Sequence, residues 1–245
     1  METLYFISDV HLGAHSEDIE KLKISRLLSF LKSVRHQADY LYIVGDLYDF
    51  WFEYYKAIPK VNLKVLAALS DLVESGTVVR YFIGNHDLWH ESYLESEIGV
   101  HIFHEPLETR HNTLKLFVAH GDGLADGEWK VRLIKRILKN RANIFLYRLL
   151  HPDLGIPLAR LFSNRSKKKG ANRFIDEYRK FAHAKLQDGF DAVILGHTHQ
   201  PVFEQTDSKY YINLGDWVKN FTYVKMTGTS LELKTWHETQ IPNFK

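Results

Sequence analysis

Apolar residues along the chain fall into short continuous runs, and amphipathic stretches lie between them. Leu4–Ile7, Tyr40–Val44 and Val78–Ile83 are such runs, and each hands over to Ser, Gly, Asn or Asp. That is the pattern of strands buried on both faces. Asp18–Arg35 carries Ile19, Leu22, Leu27, Leu28, Leu31 and Val34 at helical spacing, and Lys60–Ser75 predicts a second helix closed by Gly76. The β-α-β-α-β order predicts a parallel sheet with right-handed crossovers. Further strands are expected at Leu114–Ala119, Ala192–Leu195, Tyr210–Asn213, Thr222–Met226 and Leu231–Trp236, the last three as antiparallel hairpins on a second sheet. No internal repeat or low-complexity linker interrupts the series, so a single α/β domain over residues 1–245 is expected.

Composition narrows the chemistry. The chain has 245 residues, 45% of them hydrophobic and 25% charged, which is ordinary for a globular protein. The absence of cysteine removes disulfides, a thiol nucleophile and every thiolate metal site. His, Asp, Glu and Asn are left as metal ligands. The first residues hold only the apolar run Leu4–Ile7 before an acid, too short for a signal peptide, and no uncharged apolar stretch reaches the roughly 18 residues of a spanning helix. A cytoplasmic protein is therefore expected.

Charge divides the chain into two unequal parts. Residues 129–170 contain twelve Lys and Arg against the single acid Asp153, a formal +11, which leaves −9 on the remainder of a chain whose total is +2. The same segment is rich in Leu, Ile and Val, so it reads as a basic, amphipathic helical insert. Positive charge often serves nucleic acid. Here there are about as many aliphatic residues as cations, which argues against nucleic acid and for an amphiphile with negative phosphates, or an anionic membrane surface.

Candidate chemistry sits where the strands end. Five clusters share this setting: Asp9-Val-His11, Gly45-Asp46, Gly84-Asn85-His86-Asp87, Ala119-His120-Gly121-Asp122 and Gly196-His197-Thr198-His199. Strand ends of open α/β sheets converge on one crevice, so residues distant in sequence can meet there. Asp9, His11, Asp46, Asn85, His120, His197 and His199 together suffice for two divalent ions sharing a carboxylate, an arrangement suited to in-line displacement at phosphorus. Oxygen and nitrogen donors without thiolate accommodate Mn²⁺, Fe²⁺ and Zn²⁺, and the donor types do not choose among them. The other nine histidines lack this setting and read as solvated or capping residues.

The ordered set from Asp9 to His199 resembles the signature of calcineurin-like metallophosphoesterases. The resemblance implies a four-layer αββα sandwich with a two-metal site. Asp9, His11, Asp46 and His199 would hold one ion; Asp46 as bridge, Asn85, His120 and His197 would hold the other. His86 would pair with an acid, in this chain Asp87, to stabilise charge on phosphate or protonate a leaving group. Within the family, the aromatic run Gly45–Glu53, the element Leu214-Gly-Asp-Trp217 and the basic insert after His120-Gly-Asp122 resemble the UDP-2,3-diacylglucosamine hydrolases of the lipid A pathway. Those hydrolases often carry Arg where this chain has His86. The resemblance implies an acylated nucleotide-sugar substrate and a peripheral position on the cytoplasmic face of a Gram-negative inner membrane. It also implies cleavage to 2,3-diacylglucosamine 1-phosphate and UMP. Asn85, His86 and the clustered cations Arg165, Lys167, Lys168 and Lys169 are the expected phosphate contacts. A nuclease or nucleotide phosphodiesterase on the same metal site, and a non-catalytic scaffold, are the rival readings; the sequence fixes no oligomeric state.

Overall fold

The structure is a computed structural model that describes residues 1–60, 62–167 and 174–237. Strands β1 (Thr3–Ile7), β2 (Tyr40–Val44) and β3 (Val78–Phe82) run parallel, linked through helices α1 (Glu17–Val34) and α2 (Leu63–Glu74). Acids at Glu17, Asp18 and Glu20 in its first turn and Lys32 in its last complement the dipole of α1. The Asn62 side chain caps α2 by accepting from the Lys64 N–H, and Gly76 follows the helix at φ +94°. The short helix α3 (Tyr93–Ile98) then leads to the edge strand β4 (His101–Phe103), parallel to β3.

A second sheet is built from β5 (Leu107–His111), β6 (Leu114–Ala119), β7 (Ala192–Leu195), β8 (Pro201–Thr206) and β9 (Lys209–Leu214), in the order β5-β6-β7-β9-β8. Strands β10 (Thr222–Thr227) and β11 (Ser230–Thr235) return to the first sheet, where β10 pairs antiparallel with β1. The three C-terminal strands expected to share a second sheet are thus divided: β9 lies parallel to β7 there, while β10 and β11 complete the order β11-β10-β1-β2-β3-β4. Alternation marks both as strands, but it does not specify the sheet that a hairpin joins.

Side-chain alternation makes the layers. Leu4 and Phe6 of β1 point inward with Tyr42, Val44, Val224 and Met226 against Leu116, Val118, Ile194 and Ile212 of the second sheet. Tyr5 and Ile7 point outward onto Leu27, Phe30 and Leu31 of α1 and Leu66 and Leu69 of α2. On the opposite side Phe117, Val193 and Tyr211 pack on Tyr178, Ala182 and Leu186 of α7 (Ile175–Gln187). The result is helix, sheet, sheet, helix.

The basic segment forms α4 (Trp129–Leu138), α5 (Arg141–Arg148) and α6 (Pro152–Lys167). No side chain of α4 or α5 is buried, and Trp129, Leu133, Ile134, Ile137, Phe145 and Leu146 are each more than half exposed or at that mark. The segment is nonetheless anchored. The Trp89 indole donates to the Leu138 carbonyl (3.0 Å), and Tyr147 stacks on Trp89 and packs on Phe52. The aromatic run after Asp46 is therefore the floor on which this segment rests. No helix of the described residues is long and apolar enough to cross a membrane.

Two of the histidines expected to be solvated or capping are in the core. His90 stacks on Trp51 (centroids 4.8 Å apart), and His111 joins the Tyr42 hydroxyl (2.6 Å) to Glu2 (2.8 Å). Both sit on irregular or edge backbone, where periodicity carries no sign of burial.

Candidate metal centre

Every cluster singled out in the sequence lies at the exit of a strand, and both sheets deliver their exits to one place. Asp9 and His11 follow β1, Asp46 follows β2, Asn85 follows β3, His120 follows β6, and His197 and His199 follow β7. The backbone there is bent sharply: Asp9, His11, Asp46, His197 and His199 all have φ between +49° and +68°. Such conformations cost of order 1 kcal/mol or more per non-glycine residue and persist only where surrounding structure dictates them. That structure is visible. The N–H groups of His11 and Leu12 donate to the carbonyls of Asp46 and Leu47 (both 2.9 Å), and the Trp217 N–H donates to the Asp9 carbonyl (3.1 Å).

Lysine 23 completes the clamp from below. It is fully buried on α1, and its ammonium donates to the carbonyls of Val10 (3.1 Å) and His11 (2.6 Å) while pairing with Glu20 (2.7 Å). Glu20 in turn accepts from the N–H groups of Gly13 and His15. Lys23→Met should lower stability by about 3 kcal/mol, since it strands a partly buried carboxylate and two carbonyls. A melting temperature unchanged by this substitution would show that the clamp contributes nothing.

The donor atoms converge. His199 Nε2 lies 3.4 Å and His11 Nε2 3.5 Å from Asp9 Oδ1, and these two imidazole nitrogens are 3.3 Å apart. Asp46 Oδ2 lies 3.6 Å from His11 Nε2 and 3.4 Å from His120 Nε2, so it stands between two groups of donors. Asn85 Oδ1 is 3.3 Å from His120 Nε2. Asp9 Oδ1 is buried with no hydrogen-bond donor among the described residues, although its other oxygen accepts from the His197 N–H (2.9 Å). An orphaned carboxylate oxygen facing two imidazole nitrogens is what a cation site requires. His120 Nδ1 meets the Val44 carbonyl at 2.9 Å, which fixes the tautomer with Nε2 toward the centre.

Electrostatics agree with the geometry. Burial alone would raise the pKa values of Asp9 and Asp46, yet His199, His11 and His120 around Asp9, and His120, His86 and His11 around Asp46, hold both well below the usual carboxylate range. Burial would likewise lower the imidazoles. Asp49, Asp9 and Asp46 instead carry His11 up to about 9, and Asp46 and Asp9 carry His120 up to about 10. Two ionised carboxylates in a dry pocket favour positive charge, and a divalent cation answers the same field.

Carboxylates missing from the sequence reading stand behind the histidines. His86 is not set against Asp87: its Nδ1 is 3.3 Å from Asp49 Oδ1, and Asp49 also lies 3.7 Å from His11 Nδ1. Asp87 is buried behind the turn, where it accepts from the Tyr81 hydroxyl and from the Gly84 N–H (2.7 Å). Burial and the charge of Asp46 raise it to about 6. Asp216 lies 3.8 Å from His199 Nδ1 and also accepts from the N–H groups of Val218, Lys219 and Asn220. Glu128 lies 3.8 Å from His197 Nε2. Of the cations expected at phosphate, Arg165 and Lys167 fall within α6, and Lys168 and Lys169 lie outside the described residues.

Two sheets whose strand ends pool carboxylate, amide and imidazole donors make a candidate metal site, and the chain belongs to the calcineurin-like phosphoesterase family, whose pattern matches residues 3–201. It is a phosphoester hydrolase. Over 97% of its length and 98% of the other chain, it is 28% identical to a UDP-2,3-diacylglucosamine hydrolase of Porphyromonas gingivalis. An enzyme of the same name from Haemophilus influenzae strain Rd is 26% identical over 91% of this chain and 94% of its own. A solved archaeal phosphodiesterase, 15% identical, shares the fold over 95% of this chain and 98% of its own with a TM-score of 0.50.

Proposed function

We propose that the protein hydrolyses UDP-2,3-diacylglucosamine at its pyrophosphate. Water attacks the uridine-side phosphorus, the bond from that phosphorus to the bridging oxygen breaks, and the products are UMP and 2,3-diacylglucosamine 1-phosphate. Two divalent ions held by Asp9, His11, Asp46 and His199 and by Asp46, Asn85, His120 and His197 would supply Lewis acidity and an activated water at neutral pH. Mn²⁺ is the ion we expect. The chain's own groups do the rest. Asp46 fixes the spacing of the two donor groups. His86, with Asp49 3.3 Å from its Nδ1, would stabilise charge on the phosphate or protonate the leaving oxygen.

The observation that carries the acylated substrate is the union of this centre with α4–α6. A cavity of about 160 Å³ lies between His120 and α4: His120, Gly121 and Asp122 meet Lys135 of α4 there, with Phe82, Ile83, Phe103 and Leu124 as apolar walls. Lys135 closes one side by pairing with Asp122 (2.7 Å). Beyond it, exposed aliphatic and aromatic side chains alternate with cations, which suits acyl chains beside phosphates and an anionic membrane surface.

Replacement of Leu133, Ile134 and Ile137 by Ser should reduce kcat/KM on the diacylated substrate by about tenfold per side chain, from roughly 1.5 kcal/mol of apolar contact each. A small chromogenic phosphodiester, which has no acyl chain, is the reference. An equal loss on both substrates would refute the assignment of this segment to lipid.

A further inference from the structure

Asp49 lies beside His11 Nδ1, Asp216 beside His199 Nδ1 and Glu128 beside His197 Nε2. Glu128 differs from the other two in its address. It is the residue immediately before Trp129, at the start of α4, yet it is buried. Its Oε2 accepts from the Tyr178 hydroxyl (2.7 Å) and from the N–H groups of Gly123 (2.9 Å) and Ala125 (3.3 Å). Those bonds immobilise the carboxylate, and Oε1 is left facing His197 Nε2. Tyr178 and His120 box the same imidazole, with ring centroids 5.9 and 5.2 Å away.

The first turn of α4 is tied into the same knot. Arg132 donates its Nη1 to the carbonyls of Gly123 and Ala125 (both 2.9 Å), and its N–H bonds the Glu128 carbonyl (3.1 Å). Gly127 has no room for a side chain, because a Cβ there would stand 2.4 Å from the Phe174 ring. The loop from His120 to Glu128 therefore begins at one candidate donor and ends against another, with the root of α4 clamped onto it.

We infer that Glu128 is a positioning residue that couples the basic helical segment to the metal centre. It faces His197 Nε2, which leaves the ring's Nδ1 for coordination, and the same side chain bonds Gly123 and Ala125, the loop onto which Arg132 of α4 is tied. Seating of α4 on a substrate and the donor geometry of His197 are then one variable. This rests on the reading of His197 as a ligand, and the experiment separates the two claims.

Mn²⁺ titration by calorimetry on the wild-type protein, His197→Ala, Glu128→Ala and Glu128→Gln reads each claim directly. His197→Ala should weaken one of two sites, and Glu128→Ala should weaken the same site by about 10- to 100-fold, the usual effect of removing a ligand's outer partner. Glu128→Gln, whose amide oxygen can still face Nε2, should recover most of that loss. On a His197→Ala background, Glu128→Ala should add less than about twofold, because its effect passes through His197. Tryptic cleavage after Lys130 and Arg132 reads the other end: Mn²⁺ should slow it in the wild type and not in Glu128→Ala. Two undisturbed sites in His197→Ala would overturn the ligand reading. A weakened site in His197→Ala alongside wild-type affinity in both Glu128 variants, or Mn²⁺-dependent protection that survives in Glu128→Ala, would overturn the coupling.

Discussion

Asp46→Ala should abolish metal-dependent hydrolysis. The carboxylate stands within 3.6 Å of His11 Nε2 and 3.4 Å of His120 Nε2, so it borders both donor groups at once. Its other oxygen accepts from the His86 N–H (2.9 Å), which ties the turn carrying Asn85 and His86 to the same point. Removal therefore unmakes the spacing of two sites and slackens a third loop. Loss of about 4 kcal/mol of transition-state stabilisation, roughly 10³-fold in rate, is the expected size. Initial rates on a chromogenic phosphodiester with added Mn²⁺ measure it. Activity within tenfold of the wild type would refute a shared carboxylate.

The second large effect needs no change to any donor. Gly84→Ala places a Cβ 2.0 Å from Asp46 Oδ1 and 2.7 Å from the Asp46 backbone nitrogen. Neither can retreat: the carboxylate is gripped by His86, and the backbone is held by the β2 exit. Overpacking of this kind costs about 3 kcal/mol, which lowers the melting temperature by roughly 6–12 °C in a chain of this size. It should also displace Asp46 and depress activity by more than tenfold. Gly76→Ala is the control. That residue has φ +94° but open space around it, so only backbone strain of about 1 kcal/mol is expected, with activity intact. Equal effects at the two glycines would mean that conformational freedom, rather than room for Asp46, is what Gly84 provides.

The parts of the molecule that were legible in the sequence are those whose burial is uniform. β1, β2, β3, β6 and β7 are covered on both faces, and continuous apolar runs betray them. β5 and β8 escaped notice because they are edge strands whose residues alternate with solvent, Leu107-Glu-Thr-Arg-His111 and Pro201-Val-Phe-Glu-Gln-Thr206. The donor residues stood out because several polar, ligand-capable residues at a strand exit are hard to explain by packing. Their supporting acids did not. Asp49, Glu128 and Asp216 lie on loops, where a carboxylate in sequence looks the same whether it faces water or an imidazole. Asp49 and Asp216 sat inside motifs already singled out, Gly45–Glu53 and Leu214–Trp217, and that proximity was the available signal. The assignment of Asp87 to His86 failed for a related reason. Adjacent residues on a tight turn point apart, and Asp87 turns inward to Tyr81 and Gly84.

The donors are divided between two hydrogen-bonded sheets, and this bears on how the molecule can be made. Asp9, Asp46 and Asn85 leave the ribosome early, His120 midway, and His197 and His199 only when four-fifths of the chain has been synthesised. Even then β1, which carries Asp9 and His11, remains an open edge until Thr222–Thr227 arrives to pair with it. The candidate donors are all in hand only after His199 has been made, and the sheet that carries the first of them closes later still.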